Sequence, residues 1–493
     1  MSSLLLSSDG GYYPRHLVTF DYDLVVIGSG PAGERGAVTA ASLGKRVLVV
    51  EKAAEPGGAA VHTGTLPSKT LRETALFLSG RDQREVYGVG VTIDDDLFVP
   101  KLLSRKAAVK RLEVERIRRA FKDAGVELVR GSARVSGANK VHIDLVASPP
   151  SGASHREVSA EFILVATGSY PHRPPEMPWD DPQVEDSDTI LDLDLMPARL
   201  VVIGAGVIGC EYAAMFAALG VRVTLVDKRN ELLAFLDRDM SEALRVSFVS
   251  MGIDVRLEDA QERVRRDGDH IVVELKRGGS VPCDMLLFCG GRSGATNGLG
   301  LEEAGVKLGL RGSIEVDAHY RSSVPHILAA GDVIGFPALA STSMEQGRLA
   351  VLYAFGKQDE IALSSCSSAD VAKMRLPYGI YTIPEVSCVG FSEEDAIAEG
   401  REVVVGKGDF EHNARAKING FSQGFVKLVF DKKTRVCIGA HAIGDRATEL
   451  IHIGQACVAL GGTVDTMSGM VFNYPTLSEC FKHAARDALS RWL

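Results

Sequence analysis

The sequence predicts an α/β fold made of two units of one design, followed by a C-terminal α+β domain. Three observations predict it. DYDLVVIGSGPAGERGAVTAASLGKRVLVVEK, from Asp21, reads as a buried strand, a glycine turn, a helix and a second buried strand ending in an acid. RLVVIGAGVIGCEYAAMFAALGVRVTLVDKR, from Arg199, repeats that order, and the first glycine and the acid are equally spaced in both copies (Gly28 and Glu51; Gly204 and Asp227). From about Leu376 the texture changes to strands such as YGIYTIPEVSCVG and GFVKLVF, alternating with helices such as TELIHIGQACVAL.

In chain order, residues 1–21 read as an N-terminal extension and 22–175 as the first nucleotide-binding unit. Within that unit the apolar run LVVIG makes the first strand, VTAASLG closes the helix at Gly44, and VLVVE makes the second strand. VYGVGVTIDDDLF is expected as a loop, KLLSRKAAVKRLEVERIRRAFKDAG as a long amphipathic helix, and GSARVSGANKVHIDL as short strands. The proline-rich SYPHRPPEMPWDDPQ reads as a linker leaving the unit. The second unit spans 176–290, residues 291–370 return to the first, and 371–493 form the C-terminal domain.

A chain of 493 residues is too long for one hydrophobic core. Its 45% apolar and 24% charged residues are those of an ordinary globular protein. A net charge of −9 without clustered Lys or Arg argues against nucleic acid as a partner. Backbone amides can still hold a small anionic cofactor. No apolar stretch approaches about 18 residues, so no membrane span is expected. The start, MSSLLLSSDGG, lacks the basic region of a secretory signal. Eight scattered cysteines without a CxxC read as free thiols in a reducing cytoplasm. The pairs Cys437/His441 and Cys480/His483 have spacings that allow a metal site, but they read as buried structural residues, and no metal is expected.

The chemistry lies in the glycine turns. In Gly28-Ser29-Gly30-Pro31-Ala32-Gly33 the first glycine permits the tight turn and the second lets a pyrophosphate approach the backbone. The third lets the helix pack on the strand, so the phosphate meets the positive end of the helix. Glu51 ends the next strand, where its carboxylate accepts hydrogen bonds from ribose hydroxyls. Gly204, Gly206, Val207, Ile208 and Gly209 repeat the geometry, so the two units are Rossmann-like and a second dinucleotide is expected. Asp227 suits a free ribose 2′-hydroxyl, whereas Arg229, after Lys228, suits a 2′-phosphate; together they point to a site that takes both NAD and NADP. The other reading of Lys228 and Arg229 is a solvated turn.

These features, with the PSKT run, LVATGS (Leu164 to Ser169), GVIGCE (Gly206 to Glu211), GGR (Gly290 to Arg292), LAAGDVIG (Leu328 to Gly335) and YPTLSE (Tyr474 to Glu479), resemble the FAD-dependent pyridine nucleotide disulfide oxidoreductases, the lipoamide dehydrogenase and glutathione reductase group. The resemblance covers residues 22–493. It implies that the first unit holds FAD, with Gly331 and Asp332 at the ribityl chain and Ala166, Thr167 and Gly168 at the crossing between domains. It also implies FAD contacts from Lys52, Gly58, Thr65, Lys69, Ala133, Ala338 and Leu339, and NAD(P) contacts from Gly290, Gly291 and Arg292. The C-terminal domain is implied to build a homodimer that sets Tyr474 and Glu479 of one subunit beside the other's flavin.

The chain departs from that group at two places. GGAAVHTGTLPSKT, Gly57 to Thr70, is framed like the loop that carries the group's redox disulfide, but Ala60 and Thr65 occupy the cysteine positions. The group's acid-base histidine is replaced by Tyr474, which leaves Glu479 without an imidazole to orient. Without a dithiol to protonate, the histidine has no task. The chain is therefore not expected to reduce disulfides. His62, in the same stretch, reads as structural, with proton handling as the alternative.

The hydride machinery remains. Lys69 is implied to face flavin N5 and to pair with Glu211, whose carboxylate keeps the ammonium oriented. A domain-bridging salt bridge without a catalytic share is the other reading. The combination of G-T-x-P-S-K with F-N-Y-P-T-x-x-E, and ELLAFLDRDMSEAL from Glu231, is similar to the soluble, Si-specific pyridine nucleotide transhydrogenases. The expected activity is FAD-dependent hydride transfer between NADPH and NAD+, ping-pong through one nicotinamide site. The alternatives are an NAD(P)H oxidoreductase that passes electrons to quinone or oxygen, and a flavoprotein that binds without turnover.

Overall fold

The computed structural model describes residues 19–80, 88, 95–146, 154–357, 359, 376–421 and 423–492. The N-terminal extension up to residue 18, residues 86, 87 and 89–94 of the expected loop VYGVGVTIDDDLF, the expected boundary at 371 and Cys366 lie outside the described residues, and the end of that expected loop, from Asp95, is already helix.

Five parallel strands form the first sheet, in the spatial order Glu127–Gly137, Val47–Glu51, Tyr22–Ile27, His155–Val165, Ile327–Ala329. Val47–Glu51 is buried along its whole length, as a central parallel strand covered on both faces must be. Helix Pro31–Ser42 packs on helix Ala340–Ala354, and small residues permit the approach: a Cβ on Gly347 would overlap the Ala32 carbonyl. The outer parts of Glu127–Gly137 and His155–Val165 continue into an antiparallel meander with Lys140–Leu145. Helix Asp95–Asp123 starts earlier than the charged run suggests and contains Pro100.

The second sheet is also parallel, in the order Asp254–Arg256, Arg222–Val226, Arg199–Ile203, Met285–Phe288, Val184–Asp186. Between the two sheets, Ser169–Pro171 pairs antiparallel with Arg292–Gly294. The stretch read as a plain linker therefore begins as half of a two-stranded ribbon, since each crossing strand satisfies the other's backbone groups.

Five antiparallel strands build the third sheet: Tyr378–Ile380, Glu385–Gly390, Cys437–Gly444, Phe425–Asp431 and Val403–Asp409. Helix Glu479–Ser490 lies close on Val403–Asp409, because side chains on Gly406 and Gly408 would overlap the carbonyls of Ala484 and Cys480. The fully buried Lys427 ties this sheet to the second unit. Its ammonium donates to Asp237 (3.0 Å), Asp239 (2.8 Å) and Glu393 (2.7 Å), which satisfies all three of its N–H groups. Asp237 also caps helix Arg238–Ser250. On the same sheet His441 donates from Nε2 to the Phe391 carbonyl at 2.9 Å, while the Cys437 thiol faces the Gly439 carbonyl, so the two do not share a ligand.

Candidate active site

Both glycine turns have one construction. Gly28 has φ +100° and Gly204 φ +108°, and a Cβ at either would lie 2.5 Å from a carbonyl of the neighbouring strand end, Ala166 or Cys289. Side chains on Gly33 and Gly209 would overlap the carbonyls of Gly28 and Gly204. The middle glycines differ. A Cβ on Gly30 would meet only Gly58 Cα at 3.8 Å, and one on Gly206 only Arg229 Nη2 at 4.0 Å. Each is an open cradle at the start of a helix, Pro31–Ser42 with Pro31 and Ala32 in its first turn, and Val207–Ala218 with Val207 and Ile208 in its first turn.

The acids are positioned equivalently. Glu51 accepts from Ser29 N at 3.0 Å and Ser29 Oγ at 2.6 Å, and Asp227 accepts from Ala205 N at 2.5 Å. Arg229 reaches back onto Asp227, with Nε to Oδ1 at 2.9 Å and Nη2 to Oδ2 at 2.7 Å. Burial pushes the Asp227 carboxyl up, but the Arg229 guanidinium and the backbone N–H groups of Arg229 and Ala205 outweigh it and hold the group below the usual carboxylate range. Lys52 and Lys228, each next to an acid, are exposed.

On the first unit, Ala166, Thr167 and Gly168 follow strand His155–Val165. The Thr167 hydroxyl is buried and has no hydrogen-bond partner among the described residues. Asp332 accepts from Ser169 Oγ at 2.9 Å, and Gly331 N donates to Gln346 at 2.9 Å. Ala338 and Leu339 directly precede helix Ala340–Ala354, and Ala133 packs at the edge of the core beneath the sheet. The orphan hydroxyl and the open face at Gly30 fit a polar, phosphate-bearing group of the kind FAD is.

The stretch Gly57 to Thr70 is helical rather than a loop, with helices Gly58–His62 and Thr65–Ser79. Gly57 and Gly58 adopt positive φ, with Gly57 capping the first of these helices and Gly58 opening it. Ala60 lies within it and Thr65 opens the second. His62 donates from Nε2 to the Pro56 carbonyl at 3.0 Å. Lys69, one turn into the second helix, reaches Glu211 on helix Val207–Ala218 at 2.6 Å. The pair joins the two nucleotide units across 142 positions of sequence. The other Glu211 oxygen accepts from Tyr381 N at 2.9 Å.

Other expected residues lie elsewhere. Arg292 directs its guanidinium to Ser169 on the crossing ribbon and to Ser187 and Asp188 just after strand Val184–Asp186, while the Gly290 carbonyl accepts from Arg311 at 3.3 Å beside Gly291. Tyr474 is 76% exposed, and Glu479 accepts from Thr476 N at 3.5 Å; neither hydrogen-bonds Lys69 or Glu211 within the chain. In the second unit Cys210 is a fully buried thiol and Cys289 a partly buried one, and burial pushes both above the usual range. Sequence reasoning missed Tyr381, Arg72 and Glu385. The only signal for Tyr381 and Glu385 was a proline-broken strand, YTIPE, of a kind that marks a bend, and Arg72, on helix Thr65–Ser79, gave none.

Two dinucleotide cradles joined by one buried-side lysine–glutamate pair define a two-nucleotide oxidoreductase. Residues 22–347 match the pyridine nucleotide-disulphide oxidoreductase family, and 376–485 match its dimerisation domain. The chain belongs to the pyridine nucleotide-disulphide oxidoreductase family. It is 41% identical over 474 residues to the soluble pyridine nucleotide transhydrogenase of Mycobacterium tuberculosis, covering 96% of this chain and 98% of the relative. The protein of the same name in Pseudomonas putida is 39% identical over 488 residues, covering 96% and 100%. Among solved structures, LpdA from Mycobacterium tuberculosis superposes with TM-score 0.83 at 29% identity, over 94% of this chain and 99% of that one. The HOCl-induced flavoprotein disulfide reductase RclA from Escherichia coli gives 0.81 at 27%, over the same shares. Among the described residues no helix is long and apolar enough to cross a membrane.

Proposed function

We propose that the protein is a flavin-dependent pyridine nucleotide transhydrogenase that uses NADPH and NAD+ in turn at one nicotinamide site. One observation carries the reading: Ala60 and Thr65 stand where the family's disulfide enzymes carry sulfur, while the Lys69–Glu211 bridge beside them is intact at 2.6 Å. FAD, when bound, takes hydride from one nicotinamide and gives it to another.

The first cradle, Gly28 to Gly33 with Glu51, Lys52, Gly58, Thr65, Ala133, Thr167, Asp332 and Leu339, holds FAD; the second, Gly204 to Gly209 with Asp227, Lys228, Arg229 and Gly290 to Arg292, holds NAD or NADP. Lys69 keeps a fixed positive charge against the flavin, and Glu211 keeps that charge in place. Asp227 receives the ribose diol of NAD, and Arg229 turns from Asp227 to the 2′-phosphate of NADP. The division at 22–175, 176–290, 291–370 and 371–493 belongs to this reading. So do a cytoplasmic homodimer, with Tyr474 and Glu479 facing the partner's flavin, and the lack of a nucleic-acid partner. Quinone or oxygen as the acceptor is not favoured by relatives that are named transhydrogenases.

Anaerobic mixing of the yellow protein with NADPH and thio-NAD+ tests the proposal. The reduced thionicotinamide band should grow catalytically. Flavin bleaching without that band, or transfer to menadione alone, refutes it.

A further inference from the structure

We propose that Tyr381 is a positioning residue for the Lys69 ammonium, its ring forming one wall of the ammonium's seat and its backbone N–H fixing the carboxylate that forms another. The inference rests on the reading of Lys69 as the charge held against the flavin.

The Lys69 ammonium has three neighbours. Glu211 Oε2 accepts at 2.6 Å, Ser68 Oγ lies at 3.4 Å, and the Tyr381 ring centroid lies 5.0 Å away. A lysine stem has four rotatable carbons, so one ion pair leaves its head free to swing about the carboxylate. A ring face adds a second attraction from another direction. Glu211 itself would rotate if only one oxygen were engaged, but its Oε1 is held by Tyr381 N at 2.9 Å. One residue of the C-terminal domain thus acts on both members of the pair.

Tyr381 is itself anchored to the helix that carries Lys69. Arg72, one turn further along, donates from Nε (3.2 Å) and Nη2 (3.0 Å) to the Thr382 carbonyl and pairs with Glu385 at 3.3 Å. Glu385 in turn accepts from Thr448 N at 3.1 Å and Thr448 Oγ1 at 2.7 Å. Helix Thr65–Ser79 therefore presents the ammonium and grips the loop that presents its ring. Burial, with Glu385 nearby, pushes the Tyr381 phenol above its ordinary value, so the ring is a neutral π-face and not a phenolate.

The test compares Tyr381→Leu with Tyr381→Phe in the flavin-loaded protein. Competitive acetylation by acetic anhydride, read on the Lys69 peptide by mass spectrometry, reports how firmly the ammonium is held. The Leu variant should label about 2- to 5-fold faster, the range a partly exposed cation–π contact supports, and the Phe variant at the wild-type rate. The flavin midpoint potential should fall in the Leu variant and return in the Phe variant. Wild-type labelling in Tyr381→Leu, or equal changes in both variants, overturns the proposal, the second because the ring face would then not be what matters. Failure of the Lys69 reading is distinguishable: it appears as an unchanged potential and flavin-reduction rate in Lys69→Met, a variant in which Tyr381 is untouched.

Discussion

Replacing Arg229 by alanine should separate the two nicotinamide substrates. In the free protein the Arg229 side chain is 40% exposed and bonded to Asp227 through Nε and Nη2. A hydrogen bond from a guanidinium to a phosphate is worth roughly 1.5–3 kcal/mol. Turning to that phosphate gives up a partly exposed ion pair worth about 0–1 kcal/mol. The net preference for the 2′-phosphate is then about 0.5–3 kcal/mol, or roughly 2- to 150-fold. Arg229→Ala should lower the efficiency of flavin reduction by NADPH by that factor and leave NADH equal or better, since the Asp227 oxygens become free for the ribose diol. Anaerobic stopped-flow reduction with each nucleotide measures this. An equal loss with NADPH and NADH would show that Arg229 supports the turn without reading the phosphate, and would refute the reasoning.

Lys69→Met should slow flavin reduction by NADPH about 10²-fold, the usual effect of removing one preorganised charge, and an unchanged stopped-flow rate would exclude the role. Lys427→Met should destabilise the fold by about 3–5 kcal/mol, because Asp237 is left buried without its cation; a loss under about 1 kcal/mol in urea unfolding would show that the cluster is relaxed or wet. Gly30→Val should fill the open cradle and yield folded but colourless protein, whereas full flavin content would displace the pyrophosphate from that turn. The depressed Asp227 carboxyl fixes a sign with pH: the unfolded chain takes up the proton first, so the group's contribution is complete above the ordinary value of 3.8 and is lost as pH falls through the folded value. The stability difference between wild type and Asp227→Asn should be flat at neutral pH and shrink in acid; a difference that grows in acid contradicts the assignment.

The nucleotide units were legible because everything that defines them is local. Gly28 and Gly204 need positive φ, the third glycines need contact with their own turns, and Glu51 and Asp227 end the adjoining strands. Lys69 and Glu211 were named only through resemblance, since 142 positions separate them and no periodicity links them. Tyr381 was not legible, because its role comes from a backbone N–H and a ring face set by the third sheet. Lys427 also escaped notice: it sits on the alternating strand FVKLVFD where a charge reads as solvent-facing, and only Asp237, 190 positions away, makes its burial tolerable. The helix Gly58–His62 was missed because a glycine pair framing the stretch suits a loop, and nothing in the sequence shows that Gly58 packs on Gly30.

The centre around Lys69 belongs to no single part of the chain: the ammonium, its carboxylate and the ring come from positions 69, 211 and 381. During synthesis the two glycine turns emerge long before the third sheet, and domains fold largely as they emerge. A chain that ends before residue 381 therefore lacks one wall of the ammonium's seat, and the first sheet itself closes only once Ile327–Ala329 has been made.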